Sequence, residues 1–388
     1  MTIKEVRVTD EKADSSLQVR IATQSWEKSE IYRLRYEVYV QEMAKPLGST
    51  IDKTKQIVDS LDDRSALIYV QAGSAIVATQ RITIAAAEDY PIDLAEAFHM
   101  HKFKTLYTDF SDPHFGLGTK LAIKAQYRNS PALYLILAEA YRLMRDQKIP
   151  ICFTGGNPYV IPLYERVGFR RFAHTFTDPG YSLLIPLVML LEDTDHLKAV
   201  KSPIMRLARK YVNDVTMAQR FLQLFPEASK CLNTQLVTRK SLWEYLERTL
   251  GDSPLTIPVF KHLDAESIMD LLLAGMVFSC AEGDCILYQD SICNDLYILI
   301  SGNLVSTSPS GSYILGPGEY FGGITRPNQS RQAESVSTLT DSELFMIPRQ
   351  AFERYQNLHQ EASEILLSNL KSINDFTRAC SINKQGGQ

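Results

Sequence analysis

Two short stretches of this chain combine residue types that could hold a charged ligand. The segment GEYFGGITRPNQSRQAES, from Gly318 to Ser335, places glycines and a sharp turn ahead of Arg331. Backbone N–H groups and a guanidinium both bind phosphate oxygens, so this stretch predicts a phosphate-binding shape. In the segment DSLDDR, Asp59 and Asp62 lie three positions apart. Two carboxylates at this spacing could attract a cation such as an ammonium group, with a solvated charged turn as the alternative.

A third stretch, NPYVIPLYERVGF, carries an amide and a phenol. Asn157 and Tyr164 lie seven positions apart, so on a helix they would share one face about two turns apart. The alternative is that Tyr164, Val167 and Phe169 only pack this helix against a sheet.

The elements that position these residues predict an α+β protein with two folded units. Residues 17–190 alternate strand-like runs such as SAIVATQRITI with helical runs such as PALYLILAEAYRLMRDQ, which predicts a mixed sheet with flanking helices. Residues 191–253 have helical periodicity and form a predicted connector that ends at the breaker GDSP. Residues 254–375 predict short strands separated by turns, typical of a β jelly roll, and then a C-terminal helix.

Composition narrows the classes of function. The 388 residues carry a formal net charge of -4 and no dense Lys/Arg run, which disfavours nucleic acid and anionic membranes as partners. Neither a transmembrane run nor a signal peptide is evident, so we expect a cytoplasmic location. The six cysteines lack metal-ligand spacing, so reduced thiols and no metal site are predicted.

The first unit resembles a known branch of acyltransferases. The blocks IYRLRYEVYVQEM, VDSLDD, VATQRI and NPYVIPLYERVGF are similar in order and spacing to N-acyl amino acid synthases and acyl-homoserine-lactone synthases, a branch of the GNAT fold. The resemblance covers about residues 20 to 185. It implies that Asn157 binds the pantetheine arm of the donor and that Tyr164 protonates the departing thiolate. It also implies an acceptor site built from Arg33, Arg35, Asp59, Asp62 and Arg81.

The donor side departs from the usual acetyl-CoA pattern. Where the fold usually has R-x-x-G-x-G, this chain has YRNSPAL, so the implied donor-binding residues are Arg128, Asn129 and Ser130. Pro131 lacks an N–H group, which weakens the binding of a CoA pyrophosphate. Acyl-ACP, or a long-chain acyl-CoA, is therefore the predicted donor, and acyl carrier protein is a predicted partner.

The expected catalytic base is missing. The branch usually has a glutamate in an E-x-S-K/R-L-A pattern, and the matching residue here is Leu117 in GLGTKLAI. A substitute base is predicted in the preceding loop, at Asp109, Asp112 or His114, or through a water molecule.

The second unit resembles the cyclic-nucleotide-binding domain, which also occurs in bacterial cAMP-receptor regulators. The resemblance covers about residues 254 to 358 and includes turn glycines at 283, 302, 318 and 322. No DNA-reading helix-turn-helix is expected after it. Because this family often dimerises through the helix after the barrel, residues 352–373 predict a possible homodimer contact.

The predicted nucleotide pocket consists of Gly322, Gly323, Arg331 and Glu334, and its chemistry is altered. In the family a glutamate bonds the ribose where this chain has Gly323, and a Thr or Ser stands where it has Glu334. A carboxylate there would repel a phosphate or pair with Arg331. We therefore predict that the jelly roll has a docking or regulatory role without a bound nucleotide. The alternative is that it binds cAMP or another small anion.

The leading prediction is an N-acyltransferase that acts on a small-molecule amine such as an amino acid. Two alternatives remain open. One is a catalytically silent, two-domain interaction protein, because Leu117 and Gly323 both replace expected carboxylates. The other is a cAMP-regulated protein lysine acetyltransferase.

Overall fold

The computed structural model describes residues 17–45, 47, 49–107, 113–178, 180–324 and 331–385, with the backbone alone at 49, 50, 52 and 373–385. Its first half is a mixed sheet, as predicted. The strand order is β1-β2-β3-β4-β5-β8-β6, with β7 paired to β8. Within it β4 and β5 run parallel. The strands are β1 (Gln18–Ile21), β2 (Ala66–Ala72), β3 (Ala75–Ala86), β4 (His114–Ile123), β5 (Ile151–Gly156), β6 (Arg170–Arg171), β7 (Phe176–Asp178) and β8 (Ser182–Leu190).

Helices cover both faces of this sheet, which explains why β3 is buried along most of its length. One face packs against α5, whose buried side chains include Ile136, Tyr141 and Met144. The other face packs against α1, which continues as a π-helix over Glu37–Glu42. The helices are α1 (Ser25–Tyr36), α2 (Ser49–Thr54), α3 (Ile92–Ala97), α4 (Met100–Phe103), α5 (Ala132–Asp146) and α6 (Ile161–Val167).

The segment NPYVIPLYERVGF does not form one continuous α-helix, so that prediction was wrong. Asn157 precedes a 3-10 turn at Pro158–Val160, and α6 begins only at Ile161. Pro162 lacks an N–H group and is tolerated only in the first turn of a helix, which fixes the start of α6 close to that residue. Asn157 and Tyr164 consequently do not share one helix face.

Between the two units the chain is helical, with α7 (Thr194–Ala199), α8 (Met205–Ala208), α9 (Thr216–Leu224) and α10 (Arg239–Leu250). Within the segment SPIMRLARKYVNDV, which has helical periodicity, only Met205–Ala208 forms an α-helix. Phe221 and Phe225 of this region stack on Phe103, whose ring centroid lies 6.0 Å from that of Phe221 and 4.7 Å from that of Phe225. The connector is therefore packed onto the first sheet. None of the described helices is long and apolar enough to cross a membrane.

The second half is a jelly roll of two antiparallel sheets, as predicted. Their strand orders are β10-β15-β12-β13 and β14-β11-β16-β9. The elements are α11 (Ala265–Leu273), β9 (Met276–Cys280), β10 (Cys285–Leu287), β11 (Leu296–Ser301), β12 (Leu304–Ser308), β13 (Gly311–Leu315), β14 (Tyr320–Gly322), β15 (Ser335–Thr338), β16 (Ser342–Ile347), α12 (Arg349–Leu358) and α13 (Gln360–Gln385).

The C-terminal helices pack on their own barrel. Phe352 and Tyr355 of α12, with Leu366 and Leu370 of α13, are buried in the same hydrophobic cluster as Ile298 of β11. These apolar side chains stabilise the barrel of their own chain. Dimerisation through residues 352–373 stays a prediction.

A buried ion pair joins the two units and the connector. Arg171 Nε donates to Glu165 Oε1 at 2.8 Å, and both side chains are buried. The same guanidinium donates to the carbonyl of Val277 in β9 at 2.5 Å and to that of Leu232 in the connector. Glu165 Oε2 also accepts two bonds from Thr234, at 2.7 and 2.6 Å. Helix α6, the connector and the jelly roll are thus bonded at one point.

Arg171→Met should lower the free energy of unfolding by about 3–5 kcal/mol, because it leaves the Glu165 carboxylate buried without its cation. We expect calorimetry to show the unfolding transition broaden or separate into two, because the bonds of Arg171 to β9 and to the connector are lost. Arg170→Met is the matched control, because Arg170 pairs with Asp193 and does not contact the jelly roll through any bond of the described residues. Equal effects of the two substitutions would contradict the joining role of Arg171.

Candidate functional site

The site lies where the two central strands part. The parallel pairing of β4 and β5 joins Gly116 to Cys152 and Leu117 to Phe153. Beyond these pairs, β5 continues along β8 and β4 continues along β3. Thr154 Oγ1 donates to the Gly118 carbonyl at 2.8 Å and holds the start of the opening. Beyond these pairs and this side-chain bond, the facing edges of β4 and β5 are not bonded to each other. Their backbone N–H and C=O groups can therefore hydrogen-bond to an extended ligand that lies between the two strands.

A β-bulge lies on β4 at this opening. Thr79 of β3 pairs with Ala122 and Arg81 pairs with Thr119, so Lys120 and Leu121 together face one residue of β3. Lys120 has a φ of 54°, an uncommon backbone conformation for a residue with a side chain. Bulges of this kind redirect a side chain, and here they redirect Lys120.

Four of the predicted acceptor residues form one charged cluster. Arg35 Nη1 donates to Asp62 Oδ1 at 2.8 Å, and the exposed fraction of both side chains is 0%. Arg81 lies 3.3 Å from Asp62 Oδ1 and also pairs with Asp59. Arg81 Nε donates to Thr119 Oγ1 of β4 at 2.9 Å, which ties the cluster to the bulged strand. Residues distant in sequence therefore meet at one point.

The carboxylates of Asp59 and Asp62 have different roles in the cluster. Asp62 Oδ2 accepts the backbone N–H of Asp59 at 2.9 Å, so Asp62 organises the turn. The Asp59 side chain is 39% exposed and lies 3.6 Å from Lys120 on the bulged strand. Burial alone would raise the pKa of Asp59, but the Arg81 guanidinium and the Lys120 ammonium outweigh it and lower that pKa. Asp59 is thus a charged, reachable carboxylate.

Arg33 lies outside the cluster. Its guanidinium pairs with Glu30 at 2.5 Å, and both side chains are about half exposed. The arginines of RLR are two positions apart, so a helix directs them to different faces. Arg35 faces the sheet and Arg33 faces solvent.

Two lysines and a tyrosine extend the site toward the donor side. Lys120 Nζ lies 3.6 Å from Asp59 Oδ2 and donates to the Tyr181 hydroxyl at 2.8 Å. Lys45 Nζ donates to the Tyr181 carbonyl at 3.1 Å and to Asn157 Oδ1 at 3.4 Å. Tyr181 therefore connects the acceptor carboxylate with the predicted donor-binding amide.

Burial lowers the pKa of Lys45 and that of Lys120 to about 8. Lys120 has Asp59 as an ion partner, whereas Lys45 forms no ion pair within the described residues. Neither lysine nor Tyr181 was predicted as a site residue. Lys120 does occupy the K/R position of the E-x-S-K/R-L-A pattern, but the bulge on β4 is what places it beside Asp59, and Lys45 and Tyr181 have no such signal in the sequence.

Asn157 is fully engaged inside the protein. Its Nδ2 donates to the carbonyls of Tyr181 and Leu183, both at 2.8 Å. Its Oδ1 accepts from Lys45 and from the Tyr159 hydroxyl, each at 3.4 Å. To bind a pantetheine amide, Asn157 would have to exchange one of these bonds.

Tyr164 is buried on α6 beside the start of the opening. Its ring packs edge-on against Phe169 with centroids 5.5 Å apart. Burial raises the pKa of Tyr164 to about 12, and a hydrogen bond with Thr154 acts in the opposite direction. Thr154 is the residue that bonds to Gly118 across the strands, so Tyr164 lies close to the parting.

Of the predicted positions for the base, Leu117 and His114 lie in the described part of the chain. Leu117 is completely buried in an aromatic cluster that includes Phe115 and Phe153. His114 is exposed at the first position of β4, three residues before Leu117. Asp109 and Asp112 lie outside the described residues.

The predicted donor loop is tied to neighbouring elements. Arg128 forms a two-pronged ion pair with Glu42, at 2.5 and 2.7 Å. Ser130 Oγ accepts the N–H of Ala132 at 3.2 Å at the start of α5. Asn129 is exposed. The N–H group of Ala132, which could bind a pyrophosphate, is thus already bonded to Ser130. Pro131 has no N–H group to add.

In the jelly roll, close backbone packing explains the missing glutamate. The N–H of Gly323 donates to the Asp295 carbonyl at 3.0 Å. A Cβ on Gly323 would lie 2.0 Å from the Cys293 carbonyl oxygen. Gly322 has a φ of 113°, and a Cβ there would lie 2.2 Å from the Asp295 carbonyl oxygen. This turn therefore excludes any side chain at the position of the ribose-binding glutamate.

The charges of the predicted nucleotide pocket are bonded within the barrel. Arg331 Nη1 donates to the Asp290 carbonyl at 2.7 Å. Glu334 Oε2 accepts from the Tyr313 hydroxyl at 2.8 Å and from the Ser306 hydroxyl. Hydroxyl groups, rather than Arg331, are the partners found for Glu334, which corrects the expected pairing. Residues 325–330 of the same stretch lie outside the described residues.

Two family models match the chain. Residues 30–191 match the family described as N-acyl amino acid synthase FeeM. Residues 277–358 match the cyclic nucleotide-binding domain. The chain thus joins a domain of the N-acyl amino acid synthase type to one of the cyclic nucleotide-binding type, which confirms the predicted resemblances. The first match supports acyl transfer to an amino acid.

Solved structures with related folds share little sequence with this chain. FeeM, an N-acyl amino acid synthase from uncultured soil microbes, is 12% identical over 50% of this chain and 98% of its own, with a TM-score of 0.38. The catabolite activator protein of Thermus thermophilus is 22% identical over 33% of this chain and 62% of its own, with a TM-score of 0.29. A cyclic nucleotide-binding domain from Methylobacillus flagellatus is 13% identical over 36% of this chain and 82% of its own, with a TM-score of 0.32. No curated protein matches.

In the described part of the chain, no group of three or more His, Cys, Asp and Glu residues is placed so that it could hold a metal ion.

Lys45→Met should raise the free energy of unfolding at pH 7 by about 1–3 kcal/mol, because it removes a buried ammonium that has no ion pair in the described residues. The folded state binds this proton less tightly than the unfolded chain does. Wild-type stability should therefore rise above pH 8, and the gain from the substitution should shrink there. Urea unfolding at pH 7 and pH 9.5 tests this. Lys240→Met, at a side chain that is 84% exposed, is the control and should change little.

Gly323→Ala should destabilise the jelly roll by about 1–3 kcal/mol or more, because the new Cβ overlaps backbone that has little room to move. Gly316→Ala is the matched control, since a Cβ there meets only Glu319 Oε2, at 3.7 Å. Thermal unfolding of both variants measures the difference. If Gly323→Ala is as stable as the control, close packing does not explain the missing glutamate.

Proposed function

We propose that this protein is an N-acyltransferase that transfers a long-chain acyl group, carried by acyl-ACP or acyl-CoA, to the amino group of an amino acid. The observation that carries the proposal is the charged cluster at the parting of β4 and β5. An ammonium site and an opening for an extended thioester there lie side by side, as amide formation requires.

The acceptor side is assigned to Asp59, with Arg81, Arg35 and Asp62 as its support. Asp59 is the carboxylate of the cluster that reaches the opening, and its lowered pKa keeps it charged. The amine would bind to Asp59, while Arg81 and the buried Asp62 fix the position of that carboxylate. Lys45 offers a cation for the carboxylate of the same amino acid.

The donor side favours a carrier that does not depend on a bound pyrophosphate. The start of α5 has few free groups that could bind the pyrophosphate of CoA. Pro131 has no N–H group, the N–H of Ala132 is bonded to Ser130, and Arg128 is paired with Glu42. An acyl carrier protein presents its pantetheine arm from its own surface and needs only a path to the opening. Acyl-ACP is therefore the preferred donor, with long-chain acyl-CoA as the second choice.

The reaction is direct attack of the neutral amine on the thioester carbonyl. A C–N bond forms, the C–S bond breaks, and the thiol leaves. The backbone at the parting can bond to the thioester, and Tyr164 stays the predicted proton donor to the thiolate. Its position beside Thr154 supports that role.

We further propose that the jelly roll serves as a scaffold for α6 and the Asn157 turn, and not as a cAMP sensor. It supports this region through Arg171 and Glu165. The jelly roll also lies close to the turn itself, since burial and the Asp295 carboxylate raise the pKa of Tyr159. The excluded side chain at Gly323 argues against a cAMP-regulated lysine acetyltransferase.

The proposal is tested by incubating the purified full chain with C8 to C16 acyl-ACP or acyl-CoA and a mixture of amino acids, with mass spectrometry of new N-acyl amino acids. A catalytically silent protein gives none with any donor and binds neither carrier. That result would overturn the proposed function.

With the preferred amino acid, Asp59→Asn should raise KM for the amine about 10- to 100-fold, the effect of one lost charge-assisted bond, and should change kcat less. Steady-state kinetics separate the two constants. Asp63→Asn is the control, because Asp63 is an exposed carboxylate one residue past Asp62. If Asp59→Asn and Asp63→Asn change KM equally, Asp59 does not bind the amine.

A further inference from the structure

A base is required at this site, and the usual position cannot supply one. An amino acid carries an ammonium group at neutral pH, and its nitrogen attacks only after a proton is lost. Leu117 occupies the usual position and is completely buried among aromatic side chains. Among the described residues, a base for this step has to lie within reach of the amine that Asp59 is proposed to bind.

The β4 bulge brings Lys120 to that place. In a regular strand Lys120 and Thr119 would point to opposite faces of the sheet. Here Thr119 Oγ1 accepts from Arg81, while Lys120 Nζ lies 3.6 Å from Asp59 Oδ2. Both side chains therefore reach the same cluster. The positive φ of Lys120 is the conformational cost of this arrangement.

The surroundings of Lys120 favour loss of its proton. Its side chain is 14% exposed, and burial is the main cause of its lowered pKa. The guanidinium groups of Arg81 on β3 and Arg35 on α1 lower the pKa further. Asp59 and, at longer range, Asp178 on β7 act in the opposite direction. The Tyr181 hydroxyl, which accepts a bond from Nζ, fixes the position of the amine nitrogen.

We propose that Lys120, in its neutral form, is the catalytic base that accepts the proton of the amino acid ammonium held by Asp59. This inference rests on the proposed function and names a residue for its missing step. Asp59 binds the ammonium, and Lys120 is adjacent to the same carboxylate oxygen atoms.

The proton balance closes without another reactant. The ammonium gives one proton to Lys120 Nζ and becomes a neutral amine. The lone pair of this amine forms the C–N bond at the thioester carbonyl, and the C–S bond breaks. Tyr164 gives its proton to the departing thiolate, and the second amine proton replaces the one that Tyr164 gave up. The products are an amide and a thiol, and Lys120 returns its proton to water.

The test compares two nucleophiles on the full chain: the preferred amino acid, and O-methylhydroxylamine, which is already neutral at pH 7. Lys120→Arg keeps a cation beside Asp59 but stays protonated at neutral pH. It should lower kcat/KM for the amino acid about 100-fold or more, the contribution of a general base, and change the rate with O-methylhydroxylamine less than about 10-fold. Lys120→Met should lose the amino acid reaction as well.

The pH profile gives a second readout. Wild-type kcat/KM should rise as pH approaches 8, because the neutral fraction of Lys120 grows, and this step should be absent in Lys120→Arg. Lys124→Arg, one residue past the end of β4, is the matched control, since Lys124 pairs with Glu37 at 3.3 Å outside the site, and it should behave as wild type.

Three outcomes oppose the inference in different ways. If Lys120→Arg slows both nucleophiles equally, Lys120 has a structural role. If it slows neither, another base acts. If the wild type acylates neither nucleophile with any donor, the proposed function itself fails.

Discussion

The Arg171–Glu165 ion pair is the contact on which the arrangement of this molecule depends. It is buried, and its remaining hydrogen-bonding atoms are taken up by the connector and by β9 of the jelly roll. A buried pair of this kind stabilises little compared with an apolar pair, but it specifies one geometry strongly. Since Glu165 follows Tyr164 on α6, the position of that helix is set jointly by the sheet, the connector and the barrel.

The same helix borders the parting of β4 and β5, so the barrel contributes to the shape of the opening. On the other side of the opening, the carboxylate–guanidinium cluster holds the loop before β2 against β3 and β4. The two sides meet at Tyr181, whose hydroxyl bonds to Lys120 and whose carbonyl bonds to Lys45 and Asn157. The site is therefore a continuous polar network enclosed by apolar cores.

Much of the fold could be predicted from local signals. Strand runs, helical periodicity and turn glycines led to the mixed sheet and the jelly roll, and the Asp59 and Asp62 spacing led to half of the charged cluster. The rest depends on geometry that periodicity does not encode. Pro162 divided a predicted helix. The bulge that redirects Lys120 follows from the pairing of β3 with β4, which neither strand specifies alone.

Lysines also carry little information in a sequence, since most lie on the surface. Lys45 and Lys120 become notable only when their burial is known. Gly323 shows the opposite case. The sequence indicated that a glutamate was missing, and the structure supplies the steric reason, namely the Cys293 carbonyl.

The close approach of Gly322 and Gly323 to residues 293–295 has a consequence for signalling. A ligand regulates a protein only by favouring one of two accessible arrangements. In this turn the backbone of one strand lies directly against that of another, and the carbonyl of Asp295 is bonded to the Gly323 N–H. Movement of the turn would expose both backbone groups without a partner. We infer that this turn has one stable arrangement, which suits the proposed role of the barrel as a scaffold.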